Sequence, residues 1–255
     1  LKAKAVVTLG STKEFATATP YKPYNRHIAQ KLLGTSVVKH ALSVTGTPFL
    51  YKPSRLLGAM GTKNNQESTW TGRLAAGHID PYRPGMEGCF RCPVNCRPLN
   101  ELTPDLADKY GRGDGPEYVT LGKFGPNIGI DRVEPVIRLN NICNDLGFDT
   151  ASMGSAIGWA MELYQRGIIT DEHTGGIELA WGDADLVERL LFMTAQREGF
   201  GNVLADSTRA VENGHYPPEA LRYRMAVKGL MQSDPHDARI LKAFAPGLAV
   251  ATRRM

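Results

Sequence analysis

Three of the four cysteines in this 255-residue chain, Cys89, Cys92 and Cys96, fall within "EGCFRCPVNCRP" at residues 87–98. Thiolates spaced x-x and then x-x-x on a tight loop can converge on one compact inorganic centre, and iron–sulfur clusters take cysteines at such short intervals. Zinc is the chemical rival, but structural zinc usually takes two separated pairs, and no second C-x-x-C or paired His follows. The plain alternatives are buried free thiols, or a disulfide in a secreted protein, which the 3+1 distribution disfavours. Cys143 stands apart on an apolar helical stripe, where a small buried side chain is its expected role.

Two further stretches could meet a ligand. "GRGDGPEYVTLGKFGPNIGI" at 111–130 holds six glycines and two prolines, which excludes a long regular element and predicts a shaped loop that lets backbone approach a large ligand closely. Glu117 is its only acid after Asp114, and composition alone makes it a surface carboxylate or the acceptor of a loop hydrogen bond. "NDLGFDT" at 144–150 predicts a chain turn at Gly147, with Asp149 and Thr150 opening the next element and Thr150 or Ser152 as its N-cap. Such a turn offers amides, a carboxylate and a hydroxyl. By itself it is ordinary helix–turn–helix chemistry.

The elements that would carry these groups are mostly helical. A helix through "NRHIAQKLLGTSVVKHAL" is followed by a polar, turn-rich loop over 61–88 leading to the cysteines. Asp131 and Glu134 read as a capping pair for a helix whose Val136, Leu139, Cys143 and Leu146 recur on one face until Gly147. A second helix is expected from about Ser152 to Arg166, with Ile157, Ala160, Met161 and Tyr164 inward and Gly167 as its stop. "DADLVERLLFMTAQREG" predicts a third, capped by an Asp, and "GNVLADSTRAVENG" a fourth ending before Gly214. The fold class is therefore mainly α, with a short N-terminal strand in "LKAKAVVTLG".

Composition narrows the function. Apolar residues make up 42 % and the net charge is +4, too mild to argue for nucleic acid or an anionic membrane. No apolar run approaches the roughly 18 residues of a membrane span, and no signal peptide is visible, so a cytoplasmic protein is expected. There is no H-E-x-x-H, G-x-S-x-G, Walker A or G-x-G-x-x-G pattern. Both ends read as cut, the first lacking an initiator Met and the last stopping within a mostly apolar segment.

Taken in order, "LKAKAVVTLGSTK", "GCFRCPVNC", "GPEYVTLGKFGPNIGID", "LNNICNDLGFDTASMGSAIGWAMELYQRGIIT", "GIELAWGD", "REGFGNVLADSTRAV" and "VKGLMQSDPHDARILKAFA" resemble the tungsten-containing aldehyde:ferredoxin oxidoreductase family across nearly the whole chain. The resemblance implies a tungsten (or molybdenum) bis-pterin beside a [4Fe–4S] cluster, oxidation of small aldehydes to carboxylic acids, and electrons passed to ferredoxin or an iron–sulfur electron-transfer subunit, with homo-oligomerisation allowed. Cys89, Cys92 and Cys96 match three cluster ligands. The fourth belongs to a D-x-x-G-L-C motif further downstream, so the 255-residue piece should hold a cluster poorly unless Cys143 or a non-Cys group completes it.

Residues 144–149 match the family's first pterin-contacting motif, D-x-x-G-L-D, with Asn144 for the first acid, Gly147 retained, Phe148 for Leu, and Asp149 and Thr150 as contacts. Relatives often read G-P-E-Y-E-T, whose second glutamate is a candidate acid/base. Here that position is Val119; Glu117 is retained, in a family position whose implied role is more structural, and is carried as the catalytic candidate. The domains so implied are residues 1–12 as the last strand of a preceding pterin-cradling domain, 13–150 as a helical domain with the cysteine loop, and 151–255 as a truncated helical domain. The alternatives are a non-catalytic helical scaffold of the same fold, or a variant that reduces aromatic acyl-CoA thioesters.

Overall fold

The computed structural model describes Gly10, residues 18–106 and residues 108–252. Its long elements are helices: α1 (Tyr21–Gly34), α2 (Tyr51–Leu56), α3 (Tyr118–Phe124), α4 (Val133–Leu146), α5 (Thr150–Gln165), α6 (Ala184–Gln196), α7 (Phe200–Asp206) and α8 (Phe244–Val250). A π-helical turn at Val38–Leu42 and single helical turns join them. The fold is mainly α, as the periodicity predicts. The expected strand over 1–12 lies outside the described residues.

Helices α4 and α5 form the centre because their sequences leave little that tolerates water. Val136, Ile137, Leu139, Ile142 and Cys143 of α4 are buried, as are twelve of the sixteen residues of α5. Trp159 donates from Nε1 to the Ala220 carbonyl at 3.1 Å and meets Tyr216 edge-on at 5.1 Å, so its indole is both packed and satisfied. Gly154 and Gly158 let α5 approach the α3 region closely. A Cβ at Gly154 would lie 2.7 Å from the Lys123 carbonyl oxygen, and one at Gly158 would lie 2.5 Å from Asn127 Nδ2.

Three expectations about helix ends change. Asp131 and Glu134 form no capping pair: Asp131 pairs with Arg73 at 3.0 Å and Glu134 accepts from the Tyr82 hydroxyl at 2.7 Å. The cap of α5 is Asp149 itself, whose carboxylate accepts from the Ser152 amide at 3.1 Å and hydroxyl at 2.6 Å, so neither Thr150 nor Ser152 caps the helix. The fourth helix stops at Asp206, where Ser207 enters φ +50 and Asp206 turns its carboxylate to His215 at 3.0 Å. By contrast Asp183 caps α6 as expected, accepting from the Leu186 amide at 2.9 Å.

Strands appear where none was predicted. β1 (Met86–Glu87) pairs antiparallel with β2 (Arg97–Glu101), registering Met86 with Pro98 and Glu87 with Arg97. β2 pairs in turn with β3 (Arg112–Asp114), Leu99 opposite Asp114. The cysteine loop is thus the connection of a β-hairpin. The glycine-rich stretch after it is no simple loop either: β3 and the seven-residue α3 are regular, although no long element forms. A further pair joins β4 (Ala226–Val227) to β5 (Leu230–Met231). Among the described residues no helix is long and apolar enough to cross a membrane.

Candidate cofactor and active site

The cysteine hairpin is shaped by its own backbone. The Cys92 amide donates to the Cys89 carbonyl at 2.9 Å and the Cys96 amide to the Val94 carbonyl at 2.9 Å, with Arg91 at φ +59 between them. Cys89 and Cys92 are exposed and Cys96 is half-buried. Burial raises the Cys96 thiol above its ordinary pKa, and the charges of Glu117, Cys92 and Cys89 push the same way, so the three thiols and Glu117 share one electrostatic neighbourhood. Among the described residues no three His, Cys, Asp or Glu side chains are gathered closely enough to hold a metal ion. The donor chemistry nevertheless suits a thiolate-bound cluster, with three sulfurs on one short hairpin.

Cys143 is not part of this neighbourhood. It is fully buried on α4, where burial and the nearby charge of Asp149 push its thiol up to about 12. A thiol held protonated in an apolar stripe packs as a small hydrophobe, as its spacing predicts.

The other predicted residues converge. Glu117, Asn144, Phe148, Asp149 and Thr150 line one pocket of about 360 Å³, together with Arg97, Asp114 and Val119. Gly147 is absent from its wall and lines an adjoining pocket of about 400 Å³ that shares Phe148 and Asp149. At φ +71 Gly147 ends α4 in the left-handed conformation, and the Phe148 amide returns to the Cys143 carbonyl at 2.8 Å. This turn delivers Phe148 and Asp149 to the pocket. Arg97, directly after Cys96, joins the pocket to the hairpin.

Within the pocket each polar group has a defined task. The Glu117 carboxylate accepts a hydrogen bond from the Thr47 hydroxyl, whose oxygen accepts from the Tyr118 amide at 2.9 Å. Burial raises the Glu117 carboxyl above its ordinary pKa, opposed by the Thr47 hydrogen bond and the Arg97 charge. Glu117 is therefore a half-buried carboxylate that accepts a hydrogen bond, the second of the two roles that composition allows it. Asn144 donates from Nδ2 to the Asp114 carbonyl at 3.1 Å, a bond that a carboxylate at this position has no proton to make. Thr150 and Thr120 share a hydroxyl hydrogen bond at 2.9 Å that ties α5 to α3.

A buried amide cluster behind the pocket escaped sequence reasoning. Asn100 and Asn141 exchange amide hydrogen bonds at 3.0 and 2.8 Å, Asn141 also donates to the Tyr110 carbonyl, and Asn140 reaches the Asp114 carbonyl at 2.6 Å. Gly113 and Gly115 make room: a Cβ at either would come within 3.0 Å of an Asn141 or Asn140 side-chain atom. The network fixes the chain that leads into Glu117. Its only signal was a polar "NN" doublet inside an otherwise apolar stripe. Thr47 left no signal, because its partner lies 70 residues away.

The pocket's chemistry fits a flat heterocycle carrying both N–H donors and ring acceptors. Asp149 and Thr150 offer acceptors, Asn144 a donor, Phe148 an apolar face, and Arg97 Nε is a buried donor without a hydrogen-bond partner. A larger cavity of about 820 Å³ lies elsewhere, between α4 and the start of α6. There Arg138 bridges Asp108 and Glu188 at 2.7 Å each, and none of the residues singled out as ligands lines it.

The family model for aldehyde ferredoxin oxidoreductase, domains 2 and 3, matches residues 24–254. The tungsten-containing aldehyde ferredoxin oxidoreductase of Pyrococcus furiosus is 30 % identical over 259 residues, covering 98 % of this chain and 41 % of that protein, and its Pyrococcus horikoshii counterpart is 31 % identical at the same coverage. An aliphatic sulfonate oxidoreductase, WOR-like subunit, of Pyrococcus furiosus is 37 % identical over 124 residues, 47 % of this chain and 19 % of that one. The chain thus spans about two fifths of the length of the aldehyde oxidoreductases it matches. A solved active-site complex, BamBC of benzoyl coenzyme A reductase with 1,5-dienoyl-CoA, shares the fold at a TM-score of 0.62 and 17 % identity, over 83 % of this chain and 32 % of that one. With the motifs, the helical architecture and the family match in agreement, the chain belongs to the aldehyde ferredoxin oxidoreductase family, an enzyme family.

Proposed function

We propose that this chain is the pocket- and cluster-bearing part of a tungstopterin, iron–sulfur oxidoreductase that oxidises small aldehydes to carboxylic acids and passes the electrons to ferredoxin. The observation that carries the reading is the single pocket in which Glu117 meets Asn144, Phe148, Asp149 and Thr150, one residue from the cysteine hairpin. When bound, a tungsten bis-pterin supplies the two-electron chemistry at the aldehyde carbon. Asn144, Asp149 and Thr150 would hold it through hydrogen bonds, with Phe148 as an apolar wall that would keep water away. Cys89, Cys92 and Cys96 supply three thiolates to the [4Fe–4S] cluster.

Glu117 is the group that holds or moves a proton. Its raised pKa puts the loss of its proton nearer to neutrality than an exposed glutamate's, which suits a carboxyl that must both give and take one. Thr47 and Arg97 keep the ionised form accessible by opposing the burial penalty. As a base Glu117 works only above its raised pKa, so the acid limb of a pH–rate profile should lie above the ordinary value of 4.5. The test uses the full-length polypeptide: anaerobic, dye-linked aldehyde oxidation by wild type, and loss of roughly 10²-fold or more in kcat with Glu117→Gln if the carboxyl transfers the proton. An unchanged kcat and acid limb in that variant would remove Glu117 from the chemistry.

Val119 favours one second reading. An apolar side chain on the pocket wall does not move protons, and it offers a substrate a less polar contact than a carboxylate there would. Reduction of an aromatic acyl-CoA thioester is the variant reaction it suits. A full-length protein that turns over benzoyl-CoA and no aldehyde would select this reading.

A further inference from the structure

The charge of this chain is not spread evenly. Residues 15–66 contain no Asp or Glu, yet hold seven Lys and Arg, so the rest of the chain is net acidic. This half of the imbalance is also on the surface. Lys22, Arg26 and Lys31 on α1, and Lys39 and Lys52 after it, are exposed, and among the described residues none of the five enters an ion pair.

Among the described residues helix α1 also lacks a partner that buries its apolar stripe. Tyr21, Tyr24, Ile28 and Leu32 recur at helical spacing, yet the helix has no buried residue, and Tyr24 is 65 % exposed. The chain then runs through the π-helical turn and the helical turn Ser43–Thr45, where Val37 and Val44 are exposed, to Gly46. Gly46, at φ +69, lies so close to the cysteine hairpin that a Cβ there would sit 2.6 Å from the Cys96 carbonyl oxygen. At the hairpin's tip Phe90 is 91 % exposed, with the Arg91 guanidinium over its ring. A basic, apolar-centred, unpaired surface therefore runs directly into the loop that carries the three thiols.

We propose that α1, the Val37–Val44 turn and the Phe90–Arg91 tip form the docking face for a small electron-carrying protein with an acidic surface. The proposal deepens the functional reading above, from which it takes the need for an electron acceptor. Charge complementarity selects the partner: unpaired cations steer an acidic protein and set its orientation, while the exposed aromatic and aliphatic side chains supply desolvated contact at the centre. Adjacency to the cysteines gives such a carrier a short path to the electrons. A carrier docked beside the 820 Å³ acidic cavity would meet like charge instead.

The test is binding of an oxidised acidic ferredoxin to the full-length, cofactor-loaded protein, measured by calorimetry and by amide hydrogen exchange. Kd should rise roughly tenfold between about 50 and 300 mM NaCl, as screening of surface charge requires. The triple charge reversal Lys22→Glu, Arg26→Glu, Lys31→Glu should weaken binding by at least about tenfold, whereas reversal of the exposed Arg189 and Lys242 should leave it unchanged. In wild type, ferredoxin should slow exchange across 21–44 and 88–92, a readout that does not depend on any variant folding.

Equal affinity in the triple reversal overturns the proposal. So does exchange across 21–34 that is already slow without ferredoxin, which would show another part of the polypeptide covering α1, or capture of phosphatidylserine vesicles with no ferredoxin binding. Dye-linked activity separates the two readings: an active protein that binds ferredoxin elsewhere removes this face alone. A protein inactive with every substrate that still binds here removes the function and keeps the face.

Discussion

The α4–α5 pair and the cysteine hairpin lie side by side but are held by different forces. Helix α5 buries residues on nearly every side, and its glycines are spaces already filled by Lys123 and Asn127. The hairpin has two-residue β1 as one arm, exposes Cys89, Phe90, Arg91 and Cys92, and relies on a few backbone hydrogen bonds. The pocket is therefore built onto packed helices, whereas the cysteine hairpin, on the proposed function, would be left for a bound cluster to order. Metal binding to such a loop adds its own free energy of folding.

The sharpest way to break this contrast is to hollow the packed side. Trp159→Ala should cost about 3–5 kcal/mol in urea unfolding, because it removes a buried indole, its edge contact with Tyr216 and a satisfied hydrogen bond. A loss under about 1 kcal/mol would mean that α5 is not the organising helix. Next in size is Asn141→Ala, expected to cost about 1–3 kcal/mol by leaving Asn100 and the Tyr110 carbonyl without their partner. The same variant should weaken cofactor retention, since the amide cluster fixes the chain entering Glu117.

A smaller effect separates burial from charge at the pocket. The folded-state pKa of Glu117 is raised, so the group favours the folded state while protonated and that advantage is lost as pH rises through the folded value. Glu117→Gln keeps the acceptor for Thr47 and removes the titration. Its Tm should match wild type near pH 4 and exceed it at neutral pH, in thermal scans across that range. A Gln variant less stable than wild type at every pH would contradict burial as the dominant cause. The smallest effect belongs to the hairpin: Cys89→Ser in the metal-free chain should change stability by less than about 0.5 kcal/mol, while abolishing cluster assembly in the full-length protein.

What the sequence made legible follows the same division. Helices α4, α5 and α6 were readable because long apolar periodicity, an Asp cap at 183 and the glycine stop at 147 all agree. Asp149 stood out in the sequence as a candidate ligand but not as the cap of α5, since Thr150 and Ser152 are equally good capping types. Helix α3 was hidden by glycines: Gly122 within it is a close approach to Pro235, and Gly125 ends it beside Leu74. β1 has only two residues, and the buried positions that alternate along β2 are Pro98 and Asn100, not an apolar pattern, so the hairpin appeared as loop. The role of Asn144 needed coordinates: only the Asp114 carbonyl 3.1 Å away explains an amide there. Short-range patterns gave the helices and motifs, and long-range pairings such as Thr47 with Glu117 did not register.

The central claim, that a metallopterin pocket and a cluster hairpin meet at Arg97, is tested most directly by metal analysis of the full-length polypeptide prepared without oxygen from cells supplied with tungsten. The account predicts about four iron and one tungsten per chain, with the iron lost in Cys96→Ser and the tungsten diminished in Asp149→Ala. One zinc on the cysteines, with neither iron nor tungsten, would contradict it.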